Sequence, residues 1–279
     1  MMTTRNSLSR RLQQRFALLL LMLLTAGSRS LAQDADSVLT VERATLVGIG
    51  YGAQLDSYLS PEDYGGADLS LLSLTERRRP QRRWQRQLTH QAHVWWGSYR
   101  SDQGSEISGD YSFSYAWLRQ LATLPLGNGR ISLKAGPAAA ARLGFVYNTR
   151  NSNNPAQAKL ALACAPTGIA EWNFTAGRLP LRLRGEVVVP LLGLMFSPQY
   201  GQSYYEIFSR GNYDHNLVLT TPFNAPSVQA RLLVGTRWRR LNWQVGFQTD
   251  CLQAKVNHLK YHRYNYLLLL GVNKTLRVL

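Results

Sequence analysis

Asp214 and His215 stand side by side shortly after Ser209, and together they supply the residue types of a hydrolytic relay. Such a relay needs nucleophile, base and orienting carboxylate within hydrogen-bond reach of one another. Adjacent side chains on extended backbone diverge, so this pair is a weak constellation. His90 and His93 lie an odd number of positions apart on an expected strand, which points them to opposite faces and prevents a shared metal. His258 and His262 straddle a turn with no Cys or carboxylate at metal spacing. No Gly-x-Ser-x-Gly elbow and no phosphate-cradling glycine loop is present. The expectation is a non-enzymatic protein with no catalytic, cofactor-binding or metal-binding residues. An outer-membrane hydrolase acting on lipid or peptide through Asp214 and His215 is the alternative.

Binding chemistry is better represented. Arg77, Arg78, Arg79, Arg82, Arg83 and Arg86 fall within ten residues (77–86). Guanidinium forks at this density suit phosphate or another anion, and equally mark a solvated turn that cannot enter hydrocarbon. The 197–226 segment carries Tyr200, Tyr204, Tyr205, Phe208, Tyr213 and Phe223 beside Asp214 and His215. Aromatic rings in a long loop suit stacking on a carbohydrate or peptide, or self-packing as a plug. A third set, Arg182, Arg184, Glu186, Arg231, Arg237 and Asp250, with Lys134 and Asp110, falls on the polar faces of strands. These charges either line a weakly anion-selective pore or fill a narrow lumen with ion pairs.

The elements that position these residues follow from a period of two. In Leu241–Asp250, odd positions are apolar except Thr249, and even positions are polar or Gly. That alternation defines strands with one apolar and one polar face. Ten are expected, at about 41–54, 65–74, 86–99, 106–121, 130–146, 157–174, 179–196, 227–239, 242–256 and 261–277. The fifth and sixth are diluted around Pro137–Ala141 and Cys164–Gly168, which suits a bulge or something packed inside. A count of twelve stays open if Asn216–Thr221 joins the wall. With the N-terminus in the periplasm, the long 197–226 connection is external, and short turns at 175–178 and 240–241 are periplasmic.

Compartment is read from the first residues. Arg5, Arg10, Arg11 and Arg15 precede an apolar run, Phe16–Leu24, too short to span a bilayer as a helix. Ser30-Leu31-Ala32 offers small residues at a cleavage site, so residues 1–32 are expected to be a cleaved signal peptide and 33–279 a single barrel. The fold class expected is all-β, a transmembrane antiparallel up-and-down barrel of the outer membrane. The formal charge of the full chain is +16. Behind a secretory signal, this charge suits lipopolysaccharide phosphates, a small anionic solute or a surface glycan rather than nucleic acid. The two cysteines, Cys164 and Cys251, fall on apolar faces and are read as free thiols toward lipid.

A run of specific residues carries a resemblance. Ser197–Phe208, Tyr213–Asn216 and Thr221–Ser227, with the strands around them, resemble a family of outer-membrane proteins known as a domain of unknown function, typical of gut-type Gram-negative anaerobes. The resemblance spans nearly the whole mature chain. It implies an outer-membrane barrel and brings no reaction, ligand or catalytic residue.

Overall fold

Alternating side chains become the two surfaces of one wall. The computed structural model describes residues 39–79, 82–99, 104–152, 154–239 and 241–278. The expected signal segment and its cleavage point near Ala32 lie outside the described residues. Along Leu241–Val256, Gln244, Gln248 and Asp250 are buried while Leu241, Val245 and Phe247 are exposed. The same alternation runs through Leu39–Asp56, where Val47, Ile49 and Tyr51 face out and Leu46, Gln54 and Asp56 face in.

Among the described residues fourteen strand segments form, namely β1 (Leu39–Asp56), β2 (Tyr64–Arg78), β3 (Trp84–Ser98), β4 (Ser105–Leu126), β5 (Gly129–Gly136), β6 (Ala138–Asn148) and β7 (Ala156–Cys164), followed by β8 (Thr167–Ala176), β9 (Leu179–Val188), β10 (Leu192–Phe196), β11 (Leu217–Thr220), β12 (Val228–Trp238), β13 (Leu241–Val256) and β14 (Leu259–Val278). All pairing is antiparallel. A closed ring runs β1-β2-β3-β4-β5-β8-β9-β12-β13-β14 and back to β1, a ring of ten. The remaining segments, β6, β7, β10 and β11, are upper continuations of four wall strands. The lower end is the one where β1 begins and β14 ends.

Prolines explain the broken strands. β5 and β6 part at Pro137, β7 and β8 at Ala165-Pro166, and β9 and β10 around Pro190. β11 and β12 part across 221–227, which holds Pro222 and Pro226. Proline has no N–H to give a ladder, so continuous pairing stops there. The breaks lie beside one another. Trp117 N donates to Pro137 O at 2.9 Å, Ala165 N to Ala138 O at 2.8 Å, and Val189 N to Pro166 O at 3.1 Å. A line of interruptions therefore crosses neighbouring strands, which is the source of the diluted alternation. Residues 217–220 do join the wall, but as the upper piece of a strand already counted, so the ring stays at ten. The expected loop 197–226 is thereby corrected: it is a 197–216 excursion, a short strand and a 221–227 bridge. The bridge is tied to β13 by Lys255 N donating to Asn224 O at 2.7 Å.

Strand length sets the height of the barrel. β14 has 20 residues. At about 3.4 Å per residue and a tilt of about 40° it rises roughly 50 Å, well beyond the ~30 Å of hydrocarbon. The outward face matches that excess. An apolar belt including Leu71, Val94, Leu143, Leu162, Leu232 and Leu268 covers the middle. Below it, Arg77 pairs in register with Arg86, and Trp84 with Arg119, all pointing outward. These are headgroup chemistries at the edge of an apolar belt.

The interior departs from the expected polar lumen. Leu46, Leu72, Leu74, Leu233, Leu267 and Leu269 are buried together on inward faces. A second cluster joins Ala116, Leu118, Ala138 and Ile169. The run Leu267–Leu270 carries the signal, since four consecutive leucines on a strand put apolar groups on both faces.

Candidate functional site

Charge inside the barrel is matched partner to partner. Arg184 binds Glu76 and, at 2.9 Å, Glu186. Arg231 reaches Glu186 at 3.2 Å, and Lys134 reaches Glu171 at 3.3 Å. Arg182 binds Glu42 and, at 2.8 Å, Glu171. Four carboxylates thus meet four cations. Buried amides complete the set: Gln87 donates to Glu186 at 2.9 Å, and Gln248 accepts from the Arg231 Nε at 2.9 Å. Above this layer, Arg263 binds Asp110 at 2.6 Å, and His93 lies 3.2 Å from Asp68 and 3.8 Å from Asp250. Higher again, Lys159 binds Asp56 at 2.6 Å and covers the Tyr261 ring. Buried Glu106 accepts from Asn148 at 2.8 Å and Gln54 at 3.2 Å. These side chains occupy the lumen: Arg184, Glu186, Arg231 and Asp250 are all buried. Of the expected lumen charges, Arg182, Arg184, Glu186, Arg231 and Asp250 fill the interior rather than line it, whereas Arg237 is exposed at the lower mouth.

The upper end is closed by the 197–216 excursion, whose centre is a short helix, α1 (Tyr204–Phe208). Ser203 caps it. The Ser203 hydroxyl accepts from Glu206 N, while the Glu206 carboxylate accepts from Ser203 N at 2.8 Å, a reciprocal capping box. Ile207 is fully buried. Tyr58 donates its hydroxyl to Gln202 O at 2.9 Å, and the Ala158 amide donates to the Tyr204 hydroxyl at 2.6 Å. Asn257 donates to Ser197 O at 3.0 Å and to His215 O at 2.9 Å, holding both feet of the excursion. Burial, reinforced by Asp56, pushes the Tyr58 hydroxyl up to about 12, and burial raises Tyr204 too. The Ser203 amide and hydroxyl hold the Glu206 carboxyl below its ordinary value.

The expected ligand-binding residues divide accordingly. Tyr204 belongs to the plug, packed edge-on against Tyr58 and hydrogen-bonded to the wall, so its expected role in recognition is corrected. Tyr200, Tyr205, Phe208 and Tyr213 are exposed, and Phe223 on the bridge is 98% exposed. Arg210 stacks over Tyr205. Asp214 and His215 pair at 2.8 Å with each side chain about 75% exposed. No third group joins them among the described residues.

At the lower end, the arginines of 77–86 divide between two sides, those on the strands by parity and Arg79, Arg82 and Arg83 through the turn between β2 and β3. Arg77 and Arg86 point outward, whereas Arg78, Arg79, Arg82 and Arg83 line a cleft of 1230 Å³ in the mouth. Arg130 from β5 and Arg277 from β14 complete it. A neighbouring 470 Å³ hollow shares Arg78 and adds Arg237. No cluster of His, Cys, Asp and Glu suited to a metal occurs among the described residues.

A closed antiparallel ring with an apolar exterior around buried polar groups is a transmembrane β-barrel. Within that class, the chain belongs to the family described as Protein of unknown function (DUF3316), whose profile matches residues 16–279. No curated protein matches it in sequence. Among solved structures it is similar to the outer membrane protease OmpT from Escherichia coli, with 9% identity over 89% of this chain and 99% of that one, at a TM-score of 0.45. It is also similar to the transport unit of the autotransporter AIDA-I from Escherichia coli, with 5% identity over 92% and 97% and a TM-score of 0.41. The translocator domain of the autotransporter NalP from Neisseria meningitidis gives 8% identity over 93% and 96%, at a TM-score of 0.38.

Proposed function

We propose that this chain is a non-enzymatic outer-membrane barrel that displays a ligand-binding surface rather than conducting solutes. One observation carries the reading: a lumen packed with paired charges lies beneath a sealed upper mouth, while the sealing segment leaves Tyr200, Tyr205, Phe208 and Tyr213 exposed. Exposed rings beside Arg210 and Asn212 suit the apolar faces and hydroxyls of a surface glycan. The outward belt rests in lipid, with lipopolysaccharide around the upper rim.

The test combines two measurements on the refolded protein. Planar bilayers should show no discrete conductance at any voltage. Binding to a panel of envelope and host glycans should be lost in Tyr200→Ala/Tyr205→Ala/Tyr213→Ala with the barrel spectrum intact. Stable single-channel steps, or glycan capture indifferent to those substitutions, overturns the reading.

A further inference from the structure

The lower mouth breaks the electrostatic rule that the interior obeys. Inside, every cation of the Arg182, Arg184, Arg231 and Lys134 layer has a carboxylate partner. In the mouth cleft, Arg78, Arg79, Arg82, Arg83, Arg130 and Arg277 converge, and the acid lining it, Glu171, is already bound to Arg182 and Lys134. None of Arg78, Arg79, Arg83, Arg130 and Arg277 is in an ion pair among the described residues. Crowding like charges costs about 1 kcal/mol per close pair even in water. A turn that needed only solubility would have no reason to recruit Arg130 and Arg277, which arrive from strands far along the chain. Arg130 shares the parity of Ser132 and inward Lys134 on β5, and Arg277 shares that of buried Asn273 on β14. The cleft volume exceeds what a single small anion needs. Ser132, Thr123 and Asn173 add neutral donors around it.

We infer that this mouth is a binding site for a ligand bearing several phosphate groups. Guanidinium forks grip phosphate oxygens in pairs, and several forks around one basin favour several phosphates over one. The site is independent of the loop at the opposite end. Its charge lies inside the mouth, distinct from the outward Arg77, Arg86 and Arg119 at the lipid headgroups.

The experiment uses the full refolded barrel in zwitterionic nanodiscs. Calorimetric titration with tripolyphosphate should show binding that weakens with salt, and inorganic phosphate should bind far less tightly. Arg78→Gln/Arg83→Gln/Arg130→Gln should weaken tripolyphosphate by about tenfold or more. Arg77→Gln/Arg86→Gln/Arg119→Gln removes equal charge from the outside and should leave it unchanged. The single Arg130→Gln should show a smaller loss and guards against misfolding of the triple variant. A second arm replaces the lipid with an anionic phospholipid. If that lipid competes with tripolyphosphate in the wild type, the phosphates come from headgroups; if it does not, the ligand is soluble. Equal weakening by the inner and outer triples, or no tripolyphosphate binding to the wild type, overturns the proposal.

Discussion

The barrel is closed twice, by unlike means. The middle of the lumen is filled by the wall's own side chains, held as an ion-pair layer around Arg184 with leucines packed beside it. The upper mouth is filled by a piece of chain that leaves the wall, folds over and returns, held by a capping box, one buried isoleucine and hydrogen bonds to its feet. The first closure cannot be removed without removing wall contacts. The second can be, because its bonds are mostly to itself. Burying charge is worthwhile only when every partner stays, whereas a self-bonded plug loses its pieces one at a time.

That difference can be tested from its strongest consequence downward. Arg184→Ala leaves buried Glu76 with only the Lys134 ammonium, 3.9 Å away, and Glu186 with Arg231 and Gln87, and should cost about 3–5 kcal/mol of global stability, read as a lowered urea midpoint of the detergent-folded barrel. Ile207→Ala opens a cavity under α1 and should cost about 2–4 kcal/mol. Its cost should appear as local opening, with rapid amide exchange confined to 199–216 and an unchanged urea midpoint. If both variants shift the midpoint equally, the two closures are one. Ser203→Ala removes half of the capping box, for about 1 kcal/mol, again confined to the plug. Acid should act on the same box. Because the folded Glu206 carboxyl lies below its ordinary value, its contribution is present above about pH 4.5 and lost as pH falls through the lower folded value. The Ile207 methyl resonance should therefore broaden in acid in the wild type and not further in Glu206→Gln. The smallest effect belongs to Asp214→Asn and His215→Ala, both at exposed positions. Neither should change stability by more than about 0.5 kcal/mol, and neither should alter turnover of any lipid or peptide substrate.

Legibility from sequence follows from how many environments a residue faces. β13 was readable because each neighbour along Leu241–Asp250 meets either lipid or lumen, and the two surfaces differ in polarity. Pro137, Pro166 and Pro190 obscured their strands because they stop pairing without ending the wall. The inner leucines were hidden because Leu72 and Leu267 lie beside outward Leu71 and Leu268, and composition cannot say which face a leucine takes once both are apolar. Arg184, Glu186 and Arg231 were readable as inward by parity, but whether they fill or line the lumen depends on distances across the ring. The mouth cleft was readable only in part. Arg78 and Arg83 are close in sequence, but Arg130 and Arg277 join them through the stagger of paired strands, which no local window contains. Tyr204 was indistinguishable from Tyr205 until the helix turned one toward Tyr58 and the other toward solvent.

The seam of the ring has a consequence for how the molecule comes to exist. All 18 residues of β1 pair with β14, from Leu39 against Val278 to Asp56 against Tyr261. The earliest wall strand therefore has no final neighbour on one side until the latest has been delivered. Bringing together ends more than two hundred residues apart carries the largest loop-closure entropy in the structure, and contacts of such long range form slowly. Until they form, the amides and carbonyls along that side of β1 remain exposed as a pairing template. A chain halted before Leu259 would therefore carry two sticky borders, along β1 and β13, in place of a closed wall.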